Sequence, residues 1–173
     1  MKKNNVITIK DITLIALLTT ILFVQEQLLS ILPNIQLTVF LLVLYSKKLG
    51  FIKTTIICFI HVLLDNLIMG SFNVIYMPFM FIGWMIIPIS LNTIFKKVNS
   101  NILLAFLGLL FSFLYCWIYI IPNTLILEVS FISYLVADIL WEVLLSTSSF
   151  LTILLLYEPC SNLFDKYIKK EEK

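Results

Sequence analysis

The chain has 173 residues, of which 61% are hydrophobic and 13% are charged, and its mean hydropathy is +1.05. Soluble globular domains carry about twice that charged fraction, so the composition excludes a water-soluble fold and predicts an integral membrane protein. The formal net charge of +2 is too small to favour a nucleic-acid partner.

Apolar runs separated by turn signals predict an all-α protein with six transmembrane helices. A helical crossing needs about 20 apolar residues, and lipid forces every backbone polar group to bond internally. The first helix is expected at about 12–32, ended by Pro33, and the second at about 35–46. The second is short for a full crossing, so it is expected to tilt, to thin the bilayer locally or to be partly re-entrant.

The remaining helices are expected at about 51–69, 74–95, 101–121 and 131–158. Pro122 and Pro159 are expected to end the last two, because the residue before a proline disfavours helical backbone. The six helices form one transmembrane domain that uses residues 1–173, with only short turns between them.

All basic residues of the chain are lysines, and they fall in four groups between alternate helices. The groups are Lys2, Lys3 and Lys10; Lys47, Lys48 and Lys53; Lys96 and Lys97; and Lys166, Lys169, Lys170 and Lys173. With six crossings every group lies on one side, which the positive-inside rule assigns to the cytoplasm. Without the short second helix this segregation would be lost. We therefore expect a multi-pass protein of the plasma membrane with both termini in the cytoplasm.

Ionisable residues interrupt the apolar runs, although each costs several kcal/mol inside lipid unless it faces the bundle interior. Glu26 lies in helix 1, His61 and Asp65 in helix 3, and Asp138 and Glu142 in helix 6. The last two pairs are spaced i, i+4 and share one helical face. Interhelical hydrogen bonds or protonation would also explain such carboxylates, and both interpretations stay open. His61 by itself is typical of a packed histidine.

Aromatic and hydroxyl side chains extend the polar stripe of helix 6 at Tyr134, Trp141 and Ser149. The stripe is expected to face inward and, with residues of helices 1, 3 and 4, to line an outward-opening polar cavity. The candidate substrate-binding residues are Glu26, Asp65, Trp84, Asp138, Trp141 and Glu142. No intramembrane lysine or arginine pairs with these acids, so a cationic or amine-bearing small molecule held over aromatic rings is one hypothesis.

Motifs of enzymes and metal centres are missing from the sequence. It contains no Gly-rich phosphate loop, no H-E-x-x-H, no G-x-S-x-G and no His/Cys/Asp set with metal-ligand spacing. Cys58, Cys116 and Cys160 are expected to be small buried side chains. We therefore expect a protein that is not an enzyme and that holds no cofactor or metal.

Three stretches resemble the substrate-capture (S) component of energy-coupling factor transporters, and the resemblance spans nearly the whole chain. They are residues 15–20 behind a basic N-terminus, residues 33–38, and residues 134–163. The resemblance implies a subunit that binds a vitamin or related micronutrient from outside. Uptake would then be driven by a transmembrane coupling (T) subunit and two ATPase subunits on other chains.

In that family, small residues at A-x-x-x-A spacing on helix 1 pack on the coupling subunit. Ala16 and Thr20 occupy the matching positions here, with threonine in place of the second alanine. Threonine is still small, so close helix approach is retained. Packing within the chain is the other interpretation of this pair.

Two rival classes remain. A non-enzymatic cell-shape scaffold resembling the MreD family has a similar length and helix number, and its acidic end of the third helix is partly matched by Leu64 and Asp65. A lipid-modifying membrane enzyme would need a polar constellation with a metal, for which Asp138 and Glu142 are too isolated.

Overall fold

The computed structural model describes residues 7–68 and 74–167, and these ranges contain helices and turns without any strand. The six helices are α1 (Ile9–Leu29), α2 (Thr38–Leu49), α3 (Phe51–Ile68), α4 (Tyr76–Asn92), α5 (Asn101–Leu127) and α6 (Phe131–Tyr167). The expected all-helical architecture is confirmed for this part of the chain.

Four helices, α1, α3, α5 and α6, are long and apolar enough to cross a membrane. The helix α4 is apolar but has 17 residues, and α2 has 12. Large apolar side chains on the outside of the bundle, such as Leu28, Ile132 and Leu155, are more than half exposed, as expected for surfaces that face lipid. The chain is therefore a multi-pass membrane protein.

The short helix α2 lies at the centre of the bundle, and its residues 38–46 are all buried. It packs against each of the other five helices. Around it, α1 packs on α3, α3 on α4, α4 on α5, and α5 on α6. Within the described residues α1 and α3 make no backbone contact with α6. The bundle is thus an open ring of five helices around one short central helix.

The helix starts are set by local hydrogen bonds. Thr8 and Asp11 form a reciprocal capping box that begins α1 three residues earlier than expected. The start of α2 shifts in the other direction, to Thr38, because the buried Gln25 side chain accepts the Leu37 N–H at 2.8 Å. Gly50, with φ +79°, then turns the chain directly into α3.

The expected ends at Pro122 and Pro159 are wrong. The helix α5 continues through Pro122 to Leu127, and α6 continues through Pro159 to Tyr167. A proline removes one helical hydrogen bond, but a membrane helix tolerates the loss where neighbouring helices hold it. The helices α5 and α6 pack on each other. Beyond Pro159, α6 is held by contacts with α2.

Those contacts are an ion pair and an aromatic pair. Lys48 Nζ lies 2.6 Å from Asp165 Oδ2, and the rings of Tyr45 and Phe164 lie 6.0 Å apart. The end of α4 also differs from the expected residue 95. The helix ends at Asn92, and turns follow it to residue 97.

Lysine contacts bring several helix ends together at one end of the bundle. Lys47 Nζ donates to the backbone carbonyls of Phe95 and Lys96, both at 3.1 Å. Lys53 forms an ion pair with Asp11 at 2.5 Å. We call this the basic end; it carries the starts of α1 and α3 and the ends of α2, α4 and α6. Lys2, Lys3, Lys169, Lys170 and Lys173 lie outside the described residues.

Candidate functional site

The interior of the helix ring is filled by α2 only on the side of the basic end. The 12 residues of α2 span about 18 Å, whereas the 27 residues of α5 span about 40 Å. Gln25 holds the start of α2, because its Nε2 donates to Thr38 Oγ1 at 2.9 Å. At and beyond this level, α1, α3, α4 and α5 surround the bundle axis without α2 between them, and their polar side chains meet there.

Three ionisable residues of α1 and α3 form the first polar group, which we call the His61 cluster: Glu26, His61 and Asp65. His61 Nε2 lies 3.2 Å from Glu26 Oε2, and the His61 side chain is fully buried. Asp65, one turn along α3, interacts electrostatically with both. Glu26 Oε2, both ring nitrogens of His61 and Asp65 Oδ1 have no hydrogen-bond partner among the described residues. The cluster therefore carries unused hydrogen-bonding capacity in an apolar interior.

Aromatic side chains of α4 and α5 adjoin the His61 cluster. The rings of Trp84 and Tyr115 stack with centroids 3.7 Å apart and planes 18° apart. Tyr115 interacts electrostatically with Glu26 and Asp65, and its ring centroid lies 5.0 Å from that of Tyr119. Buried Trp84 Nε1 finds no acceptor in the described part of the chain. This aromatic group adds a further unused donor beside the acids.

Gly83 makes the approach of the Tyr115 ring to α4 possible. A Cβ atom at this position would lie 2.7 Å from Tyr115 Cδ2, which is closer than real side chains approach. The stacking of Trp84 on Tyr115 thus requires a glycine at position 83, next to Trp84 in the sequence.

Hydrogen bonds tie α4, α5 and α6 together at the end opposite the basic end. Tyr76 donates its hydroxyl to Asn123 Oδ1 at 2.6 Å, and Asn123 Nδ2 donates to the Tyr134 hydroxyl at 2.6 Å. The rings of Tyr76 and Tyr119 stack 6.0 Å apart. This network lies farther from the basic end than the aromatic group does, and it links that group to α6.

A second polar group lies between α5 and α6. Trp117 Nε1 donates to Glu142 Oε2 at 3.3 Å, and Asp138 interacts electrostatically with Glu142. Glu142 and Ser146 are each 2% exposed, and neither Glu142 Oε1 nor Ser146 Oγ has a hydrogen-bond partner among the residues described. We call Asp138, Glu142 and Ser146 the α6 cluster.

The structure divides the six predicted substrate-binding residues instead of gathering them in one place. Glu26 and Asp65 belong to the His61 cluster, Trp84 belongs to the aromatic group beside it, and Asp138 and Glu142 belong to the α6 cluster. The division arises because α1 and α3 make no backbone contact with α6 in the described ranges. Spacing along one helix could not reveal which helices are neighbours.

Trp141 departs from the expected inward orientation. It is 38% exposed, and its backbone carbonyl accepts a hydrogen bond from Asn34 Nδ2 at 3.1 Å. Its neighbour Glu142 faces the interior instead, because consecutive residues of a helix point about 100° apart. Ser149, another member of the stripe, is buried as expected.

Sequence reasoning did not include His61 and Tyr115 among the candidate site residues. The i, i+4 spacing of His61 and Asp65 was the available signal for the histidine. No comparable signal exists for Tyr115, because an aromatic residue in an apolar helix has no distinguishing pattern.

The predicted partner-interface residues Ala16 and Thr20 are both on the outside of α1. Thr20 Oγ1 donates to the Ala16 carbonyl at 2.9 Å, which satisfies the hydroxyl within the helix. Neither residue is used to pack the described helices on one another, so this small-residue face is available to lipid or to another protein.

Among the described residues, no group of three or more His, Cys, Asp and Glu side chains could hold a metal ion. Comparison of the chain with protein families, with curated proteins and with solved structures finds no match. The functional argument therefore rests on the residues and their geometry.

Proposed function

We propose that this protein is the substrate-capture subunit of an energy-coupling factor importer, which binds a vitamin or related micronutrient from outside the cell. The observation that carries the proposal is the His61 cluster. Polar atoms without partners in an apolar membrane interior are costly. A small polar ligand would supply the missing partners.

The chemistry of the cluster favours ligand binding over a purely structural role. Glu26 Oε2 and Asp65 Oδ1 are acceptors without a hydrogen bond, although Glu26 Oε2 also pairs with His61. Trp84 Nε1 is a donor without a hydrogen bond. Interhelical hydrogen bonds that only hold helices together would use these atoms, as the Gln25 side chain does. A ligand with both donors and acceptors matches the atoms that are left over.

The lysine distribution supports entry of the solute from outside the cell. By the positive-inside rule the basic end faces the cytoplasm, with six crossings and both termini inside. The His61 cluster lies at and beyond the start of α2, on the side away from the lysines, and would thus receive solute from outside. In this arrangement α2 closes the ring interior toward the cytoplasm.

The outer face of α1 supports coupling to a second membrane protein. Ala16 and Thr20 present a small-xxx-small surface on which another helix can approach closely. We propose that this face binds the transmembrane coupling subunit, which works with two ATPase subunits to drive release of the solute.

Retention of solute tests the binding step. The full chain is purified in lipid nanodiscs from its native cells and analysed by native mass spectrometry. We expect one small molecule on the wild type, less on Asp65→Asn and an unchanged amount on Glu158→Gln, a control carboxylate that is exposed on α6. An unliganded wild type, or equal retention by Asp65→Asn, would contradict the proposal.

Copurification tests the coupling step and the rival scaffold function. The tagged wild type should bring down a membrane protein together with ATPases. Replacing Ala16 and Thr20 by leucine should weaken this association without changing solute retention. The matched control is Ala137→Leu, which enlarges an exposed alanine on α6. Recovery of cell-wall synthesis proteins without ATPases would favour the scaffold instead.

A further inference from the structure

The α6 cluster contains two buried oxygen atoms that lack partners in the described structure, Glu142 Oε1 and Ser146 Oγ. Their residues are one turn apart on the same face of α6. Residues four positions apart project from the same side of a helix, and both side chains are buried. The two unused oxygens therefore occupy one buried surface.

Hydrogen bonds on both sides fix the position of this surface. Trp117 Nε1 bonds Glu142 Oε2 at one level, and Ser112 Oγ donates to Ser149 Oγ at 2.8 Å about two turns away. Ser146 lies between these two links. The helices α5 and α6 are thus held in register, and the unused oxygens do not result from a loose contact.

The α6 cluster also lacks a cationic partner. Asp138 is a second carboxyl group close to Glu142, and the electrostatic neighbours of the two acids in the described part of the chain include no lysine, arginine or histidine. A carboxylate buried in lipid is neutralised either by a proton or by a bound cation. All the side-chain ligands that the cluster offers are hard oxygen atoms, which suit hard metal ions.

We propose that Glu142, Ser146 and Asp138 bind a sodium ion between α5 and α6. This site goes beyond the solute-binding function and is separate from the His61 cluster, since α6 makes no backbone contact with the described parts of α1 and α3. The sequence-based expectation of no metal rested on the missing His, Cys and Asp spacing, whereas a sodium site needs carboxylate and hydroxyl oxygens.

A metal ion accounts for the two oxygens better than a proton does. Glu142 Oε1 and Ser146 Oγ are not hydrogen-bonded to each other, so a proton on Glu142 would leave the serine without a partner. An ion coordinated by both oxygens would satisfy both without a hydrogen bond between them. The three side chains supply fewer oxygen atoms than the six to eight that calcium sites gather, which argues against calcium.

Binding of radioactive sodium to the full chain in lipid nanodiscs tests the site. We expect saturable binding close to one ion per chain that potassium and choline do not displace. Ser146→Ala should weaken sodium binding by about tenfold, the size of effect seen when a metal-site partner is removed. Glu142→Gln should abolish it, and Glu158→Gln should leave it unchanged.

A second measurement keeps the test decisive where Glu142→Gln fails to fold. The thermal stability of the wild type is compared in sodium chloride and choline chloride at equal ionic strength, and sodium alone should raise the unfolding temperature. Absence of saturable sodium binding, sodium binding that survives in folded Glu142→Gln, or stronger displacement by calcium than by sodium would each overturn the proposal. Solute retention is also measured for Glu142→Gln. This measurement distinguishes a failure of the sodium site from a failure of solute binding at the His61 cluster.

Discussion

His61 of α3 and Glu26 of α1 approach each other in the apolar interior, with Nε2 of the histidine 3.2 Å from Oε2 of the glutamate. At this distance the two groups interact strongly in a medium of low dielectric constant. Neither atom is well aligned for a hydrogen bond. The pair thus links two helices electrostatically without a hydrogen bond between them.

A double-mutant cycle on this pair measures its coupling. We expect Glu26→Gln and His61→Phe to be non-additive in the free energy of unfolding by about 1–3 kcal/mol, as is typical of residues in direct contact. Unfolding is followed by denaturant titration in mixed micelles. The control cycle pairs His61→Phe with Glu142→Gln on a non-adjacent helix, where the two effects should add. Equal coupling in both cycles would show that the 3.2 Å contact contributes nothing.

Two glutamines of α1 should respond in opposite ways to replacement by methionine. Gln25 bonds the start of α2 through both ends of its amide, so Gln25→Met should cost about 1–3 kcal/mol by leaving buried partners unsatisfied. Gln27 Nε2 has no partner among the described residues, so Gln27→Met should be neutral or stabilising. The same unfolding titration compares the two variants. A larger loss in Gln27→Met would contradict the proposed anchoring of α2.

Gly108 of α5 leaves room for the buried Ile153 side chain of α6. A Cβ atom there would overlap Ile153 Cδ1, so Gly108→Ala should destabilise the protein by about 1–3 kcal/mol through overpacking. The control is Leu110→Ala, which shortens a 45% exposed side chain on the outer face of the same helix. Thermal unfolding of both variants in one lipid composition provides the comparison. Tolerance of alanine at position 108 would mean that the Ile153 side chain can turn aside without loss of stability.

Cysteine labelling should reveal which side of the membrane each turn faces. Single cysteines replace Ile31, Val129 and Asn99 in a background without the native cysteines. A membrane-impermeant maleimide should label the first two in intact cells, and Asn99→Cys only after permeabilisation, because the Asn99 turn lies at the lysine-rich end. Labelling of Ile31→Cys and Val129→Cys from opposite sides would exclude an even number of crossings between them.

The helix ends illustrate how far local sequence signals reach. Thr8 and Asp11 form a local cap, and such caps can be recognised from residue types and spacing. Pro159 is also a local signal, but the helix does not end there. Beyond it, Asp165 pairs with Lys48 of α2 and Phe164 packs on Tyr45 of α2. The breaking tendency of proline was overcome by contacts between residues more than a hundred positions apart.

Composition and the positions of lysines determined from sequence alone that lipid is the solvent and that the chain is helical, since apolar length and backbone hydrogen bonding in lipid leave little choice. The sequence also identified the acidic residues inside apolar runs, which are costly to expose to lipid. Only the tertiary structure decided that α2 is a buried central helix, that Glu26 meets His61, and that Glu142 belongs to a different group. The reason is physical: a side chain's burial and partners depend on which helices are neighbours, and neighbour choice in a membrane is decided by packing between distant segments.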